Sequence, residues 1–163
     1  MSEQLIKNLM DSFAGESQAN RKYLSYAKKA EAEGKLNAAK LFRAASDAEA
    51  IHAANHLKNA GKLLSTSENL QDAIKGETFE FESMYPPYLE HAKEVGNKAA
   101  EIGFYGAMEA EGVHAKLFAE ALSNIDSTEE VFYYLCPLCG NIEYGIPEKC
   151  SICNVPGDKF IKY

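Results

Sequence analysis

Two short phrases, Ala48-Glu49-Ala50-Ile51-His52-Ala53 and Ala110-Glu111-Gly112-Val113-His114-Ala115, constrain this chain more than any other feature. Each places a Glu three residues before a His, so on a helix both side chains leave one face a single turn apart. A carboxylate and an imidazole at that spacing grip one metal ion. Two such phrases facing each other across a four-helix bundle, with further Glu from the other two helices, make a site for two metal ions.

The apolar pattern supplies the helices. Ile6, Leu9, Phe13, Ala19, Tyr23 and Ala27 follow helical spacing through residues 5–33, up to Gly34. A second helix is expected over 36–60, ending at Gly61, and a fourth over 98–123. The third, over 70–95, contains Pro86-Pro87, whose two missing backbone donors predict a kink or a break. Within the connection 62–69, Ser65-Thr66-Ser67-Glu68 has the form of a capping box. Short connections of this kind predict an antiparallel bundle.

The bundle is internally duplicated. Ala14-Gly15-Glu16-Ser17 puts Glu16 33 positions before Glu49, and Lys75-Gly76-Glu77-Thr78 puts Glu77 34 positions before Glu111. Each half then contributes one Glu from its first helix and a Glu-His pair from its second. Glu16, Glu49, His52, Glu77, Glu111 and His114 form the expected ligand set, with Glu80, one turn past Glu77, as a seventh. Such donors suit iron or manganese, with zinc possible. A solvated acidic face is the plainer explanation, but Phe13, Ala19, Ile51 and Val113 surround these carboxylates. Burying an unpaired carboxylate costs on the order of several kcal/mol, so burial calls for a metal or a proton. His56 has Phe118 as its counterpart in the other half and is read as structural or surface. His91, past the prolines, is read as exposed.

All four cysteines lie in the last 28 residues, as Cys136-Pro137-Leu138-Cys139 and Cys150-Ser151-Ile152-Cys153. Two such knuckles bind one tetrahedral metal. The spacing alone leaves zinc and iron open. Gly140 and Asn154 follow the second Cys of each pair, where a left-handed backbone is wanted. Tyr133, Tyr134, Tyr144 and Phe160 are expected to pack around the metal. The composition shift divides the chain into a helical domain, 1–126, and a small metal domain, 131–163, joined by a polar linker. A formal charge of −7 without a basic stripe disfavours nucleic acid. The lack of a long apolar run or a leader pattern predicts no membrane span and a cytoplasmic location.

Taken together, the phrases FAGESQAN, DAEAIHAANH, GETFEFESMYP and EAEGVHAKLF with the paired knuckles closely resemble the rubrerythrin family, over almost the whole chain. The resemblance implies a mainly α protein: a ferritin-like di-iron four-helix bundle followed by a rubredoxin-like domain. It implies a non-haem peroxidase that reduces hydrogen peroxide to water in oxidative-stress protection. Glu16, Glu49, Glu77, Glu80, Glu111, His52 and His114 match the family's iron ligands. Glu80 and His52 match the pair that exchange on one iron, and Tyr23 and Tyr85 match tyrosines behind the ligands. Cys136, Cys139, Cys150 and Cys153 match rubredoxin-type ligands, which favours iron. Ser151 and Asn154 depart from a common Pro and Gly. The resemblance also implies a homodimer, and the short linker points to a partner subunit for the best-placed cysteine iron. No nucleotide-binding glycine phrase is present, so electrons come from a rubredoxin or an NAD(P)H-dependent rubredoxin reductase. The rival readings are an oxygen-reducing ferroxidase and a non-catalytic metal-binding protein with a structural zinc ribbon.

Overall fold

A computed structural model describes all 163 residues, which fall into two units, Met1–Leu64 and Ser65–Tyr163. No helix is long and apolar enough to cross a membrane.

The first unit is a hairpin of α1 (Glu3–Ala32) and α2 (Leu36–Asn59). Ser2 caps α1 by accepting from the Leu5 N–H at 3.3 Å. Small residues make the seam: Ala27, Ala30, Ala39, Ala53 and Ser46 are buried. Across it Asn20 Nδ2 donates to the Ser46 carbonyl at 2.8 Å and to its Oγ at 2.9 Å, while Ser46 Oγ donates to the Asn20 carbonyl at 3.0 Å. These bonds fix the register of the two helices. The small seam leaves bulky residues outside it: Leu5, Leu41 and Ile51 are exposed. Helical hairpins with such faces need a further layer to bury them.

In the second unit Ser65 starts α3 (Thr66–Phe79) with a complete capping box. Glu68 N–H donates to Ser65 Oγ at 3.3 Å, and the Ser65 N–H donates to Glu68 Oε2 at 3.1 Å. The helix therefore begins four residues earlier than the apolar pattern suggests, and the connection shrinks to 60–65. At Pro86-Pro87 the chain does not break. It passes through a π turn, Glu80–Met84, in which the Tyr85 N–H donates to the Glu80 carbonyl, and continues as α4 (Tyr85–Glu94). Since neither proline can donate, the wider turn costs no bond that an α-helix would have made there. A hairpin turn leads to α5 (Lys98–Ser123).

The π turn also explains why the two halves of the repeat differ by one residue. Tyr23, Tyr26 and Phe42 form an aromatic set in the first unit, with centroids 5.5–6.2 Å apart. Tyr85, Tyr88 and Phe104 form its equivalent in the second, at 5.8–6.5 Å. Tyr23 stands seven residues past Glu16 but Tyr85 stands eight past Glu77, whereas Phe42 and Phe104 both stand seven before the Glu of their His phrase. The extra residue thus lies between Glu77 and Tyr85, where the π turn absorbs it.

After α5 a three-stranded antiparallel sheet, order β2-β1-β3, carries the cysteines: β1 (Tyr133–Leu135), β2 (Ile142–Tyr144) and β3 (Ile161–Lys162). Leu135 pairs with Ile142 on one side and Ile161 on the other. Gly157 lets the chain close on itself, since a Cβ there would lie 1.6 Å from the Pro147 carbonyl oxygen.

Candidate metal centres

Each unit gathers one carboxylate–imidazole triad. In the first, Glu16, Glu49 and His52 each offer a donor atom within 4.8 Å of the others; in the second, Glu77, Glu111 and His114 do the same. His52 Nδ1 lies 2.9 Å from Glu49 Oε2, on an imidazole that is 54 % exposed. His114 Nδ1 lies 2.8 Å from Glu111 Oε2 and 3.6 Å from Glu77 Oε2, and its side chain is only 15 % exposed. One turn of helix separates Glu from His in both phrases, which is what brings their tips together.

The second triad shows what it lacks. His114 Nε2 sits 2.9 Å from the Gly140 carbonyl oxygen. A carbonyl only accepts, so Nε2 carries a proton and donates it. The Nδ1 lone pair then faces the oxygens of Glu111 and Glu77, and acceptors this close require a proton or a cation between them. Burial, and then the hydrogen bond and charge of Glu111, push Glu77 up to about 7. A carboxyl that holds on to its proton, beside a second carboxylate and an imidazole lone pair, belongs to a donor set fitted to a cation.

Glu80 stands outside this triad, at the start of the π turn; burial, and then the neighbouring Glu77 charge, raise its carboxyl above the ordinary range. Tyr85 is raised by burial and then by Glu111, Glu80 and Glu77, which places its hydroxyl in their field. Tyr23 packs in the first unit's aromatic set. His56 is half-buried and outside the first triad, and His91 is exposed, 3.5 Å from Glu94.

The halves are not equivalent. Glu80 has Ala19 as its counterpart three residues past Glu16, so only the second half carries a spare carboxylate. Ala50 in the first phrase is Gly112 in the second, and a Cβ on Gly112 would come 3.0–3.3 Å from the Phe81 ring. The glycine makes room for the residue next to Glu80 in the π turn.

The four cysteine sulfurs all lie within 4.8 Å of one another and form no disulfide. Cys136 and Cys153 Sγ are 3.4 Å apart, Cys139 and Cys150 Sγ 3.5 Å. Tetrahedral bonds of about 2.3 Å give sulfur separations of about 3.8 Å, so four thiolates fit around one ion with small adjustment. Gly140 at φ +83° and Asn154 at φ 61° adopt the expected left-handed turn, and their N–H groups donate to the Cys136 and Cys150 carbonyls. Burial raises the Cys139 and Cys153 thiols. At Cys150 burial acts the same way, but the N–H groups of Cys153 and Ile152 outweigh it and bring the thiol down to about 7.

This cysteine cluster packs on α5 of its own chain. Gly140 meets His114, Tyr144 Oη donates to Glu120 Oε2 at 2.9 Å, and a Cβ on Gly106 would touch Cys139 Cβ at 3.4 Å. The linker does not force the cysteines onto a partner subunit. Its nine residues reach about 30 Å extended, against roughly 14 Å of helix from Ser123 back to His114. His114 also lines an apolar pocket of about 440 Å³ with Leu117, Phe118, Leu135 and Ile142.

Sequence reasoning missed the Asn20–Ser46 pin, the Gly112–Phe81 contact and the Gly140 carbonyl. Only Gly112 left a trace, as the odd residue in an otherwise repeated phrase.

The comparisons agree with this construction. Residues 7–122 match the family model described as Rubrerythrin. Rubrerythrin-2 of Clostridium acetobutylicum is 39 % identical, over 93 % of this chain and 92 % of its own length. Nigerythrin of Nitratidesulfovibrio vulgaris is 35 % identical over 97 % and 86 %. A solved structure of nigerythrin described as fully reduced, all ferrous, covers 100 % of this chain and 88 % of its own, at 34 % identity and a TM-score of 0.60. The mainly α, ferritin-like architecture with a rubredoxin-like cysteine unit is therefore a shared one, and the chain belongs to the rubrerythrin family.

Proposed function

We propose that this protein is a non-haem peroxidase that reduces hydrogen peroxide to water in the cytoplasm. Family membership supports the coarser part, a di-iron, rubredoxin-like protein of oxidative-stress defence. The finer part rests on one observation: His114 joins the carboxylate cluster to the cysteine cluster, with Nδ1 toward Glu111 and Nε2–H on the Gly140 carbonyl.

In this reading residues 1–126 form the di-iron domain and 131–163 the Fe(Cys)4 domain. Glu16, Glu49 and His52 from one hairpin, and Glu77, Glu80, Glu111 and His114 from the other, hold two iron ions; Cys136, Cys139, Cys150 and Cys153 hold a third. When bound, the iron pair supplies two electrons to the O–O bond and the thiolate iron replaces them singly. The residues do the rest. Their carboxylate charge would offset the mutual repulsion of the two cations. His114 offers a short route from that cluster through its ring and one hydrogen bond to Gly140, whose chain neighbour is Cys139. Glu80 opens the π turn outside its triad and His52 is a half-exposed imidazole; the family resemblance makes them the pair that would exchange as ligands of one iron. Tyr23 and Tyr85 stand behind the ligands, and the Tyr85 hydroxyl keeps its proton. A rubredoxin or an NAD(P)H-dependent rubredoxin reductase delivers the electrons.

A homodimer, which the family resemblance implies, is part of this reading, and the exposed Leu5, Leu41 and Ile51 of the first unit support it. The ferroxidase reading gives the His114–Gly140 connection no task, since iron storage requires no built-in reductant. NADH consumption coupled through rubredoxin reductase and rubredoxin tests the proposal. Peroxide is expected to drive turnover far faster than oxygen, and His114→Ala to lose at least tenfold. Equal rates with the two oxidants would favour the ferroxidase.

A further inference from the structure

Ser151, a departure inside the second knuckle, is tied into a polar cluster that the reaction does not otherwise use. Glu143 on β2 accepts three hydrogen bonds on one oxygen: from Asn141 Nδ2 at 2.8 Å, from Ser151 Oγ at 3.0 Å and from the Ser151 N–H at 3.3 Å. Asn141, which directly follows the first knuckle, also reaches Ser151 Oγ at 3.2 Å and Cys150 Sγ at 3.8 Å. Its side chain is completely buried, and its Oδ1 has no hydrogen-bond partner. Leaving a buried amide oxygen unpaired is unfavourable. Flipping the amide gives no relief, because the oxygen would then face the Glu143 carboxylate. The amide nitrogen is held toward Glu143 and Cys150 at that expense.

We infer that Asn141, Glu143 and Ser151 form a clamp that ties the two knuckles together and tunes the metal they hold. The residue before β2, the strand itself and the interior of the second knuckle meet at one carboxylate oxygen. The clamp brings an acidic group and a side-chain N–H next to Cys150. A negative charge there favours the higher oxidation state, so it lowers the reduction potential of a bound iron. The tie itself slows opening of the knuckles and therefore metal loss, whichever ion is present. Serine is essential to it, because a proline at 151 has neither the hydroxyl nor the N–H that Glu143 receives. These are positioning residues, acting on the ion through Cys150 and the knuckle backbone.

The potential part rests on the thiolate-iron reading above; the retention part does not, and the two are measured separately. In the full-length protein loaded with zinc at the cysteines, chelator-driven release is expected to be about tenfold or more faster for Ser151→Ala than for the parent. Ser151→Thr, which keeps the hydroxyl and the N–H, should restore the parent rate. In the iron-loaded protein, Glu143→Gln keeps an acceptor oxygen but loses the charge. Spectroelectrochemistry should then show a positive shift of the thiolate iron while release stays near the parent rate. Parent-like release in Ser151→Ala together with an unmoved potential in Glu143→Gln would overturn the clamp. If the cysteines accept only zinc, the iron reading fails, and the release rates still decide for or against the clamp.

Discussion

Glu77 carries the clearest residue-scale consequence. Its carboxyl sits at about 7 in the folded metal-free chain against an ordinary 4.5, because burial and Glu111 favour the protonated form. Between those values the folded state binds more protons than the unfolded one, so this group's contribution is full below about 4.5 and is lost as pH rises through about 7. Metal-free protein is therefore expected to lose thermal stability between about pH 4.5 and about pH 7 relative to Glu77→Gln, which should lack that part of the slope. Parallel slopes for the two proteins would show that Glu77 is not the titrating group. Gly112 makes a packing prediction: Gly112→Ala presses on Phe81 and should destabilise by about 1–3 kcal/mol in denaturant unfolding, with partial recovery on adding Phe81→Leu. The reverse change at the first phrase, Ala50→Gly, meets no such ring. The ligand types were legible in the sequence because one helical turn fixes Glu and His on one face. The Phe81 contact was not, because nothing in local spacing says which ring crosses which helix.

At the scale of elements, Pro86-Pro87 mark the place where the third helix leaves regular α geometry, and the interruption takes the form of a π turn that absorbs one inserted residue. Apolar periodicity does not distinguish a π turn from a kink or a break; the aromatic set around Tyr85 and Phe104 does, since packing holds it in register with its counterpart. Deleting the exposed Glu82 is expected to restore a regular helix and keep the far-UV helical signal. It should reduce peroxide turnover at least tenfold by re-aiming Glu80. Unchanged turnover would mean that the π turn is incidental to Glu80. The start of α3 follows the Ser65 capping box that the sequence offers, not the apolar pattern, which begins only at about residue 70. Ser65→Ala should cost about 1 kcal/mol in thermal or denaturant unfolding.

For the whole molecule, the sequence made both metal clusters legible through short-range spacing, and the fold through its duplication. It did not reveal the docking of the cysteine unit on α5, which depends on tertiary contacts of Gly140, Tyr144 and Gly106 far apart in the chain. That docking gives the function its physical form, since it joins the two clusters at His114. The proposed homodimer is expected to sediment at twice the 17.9 kDa chain mass in analytical ultracentrifugation, and a single-chain mass would remove it from the reading. The most direct test of the central claim is anaerobic stopped-flow spectroscopy of the fully reduced, iron-loaded protein mixed with hydrogen peroxide. The account predicts rapid return of the visible absorption of a ferric tetrathiolate, much faster than with dissolved oxygen and slowed in His114→Ala. Recovery at the same rate with oxygen, or recovery indifferent to His114, would contradict it.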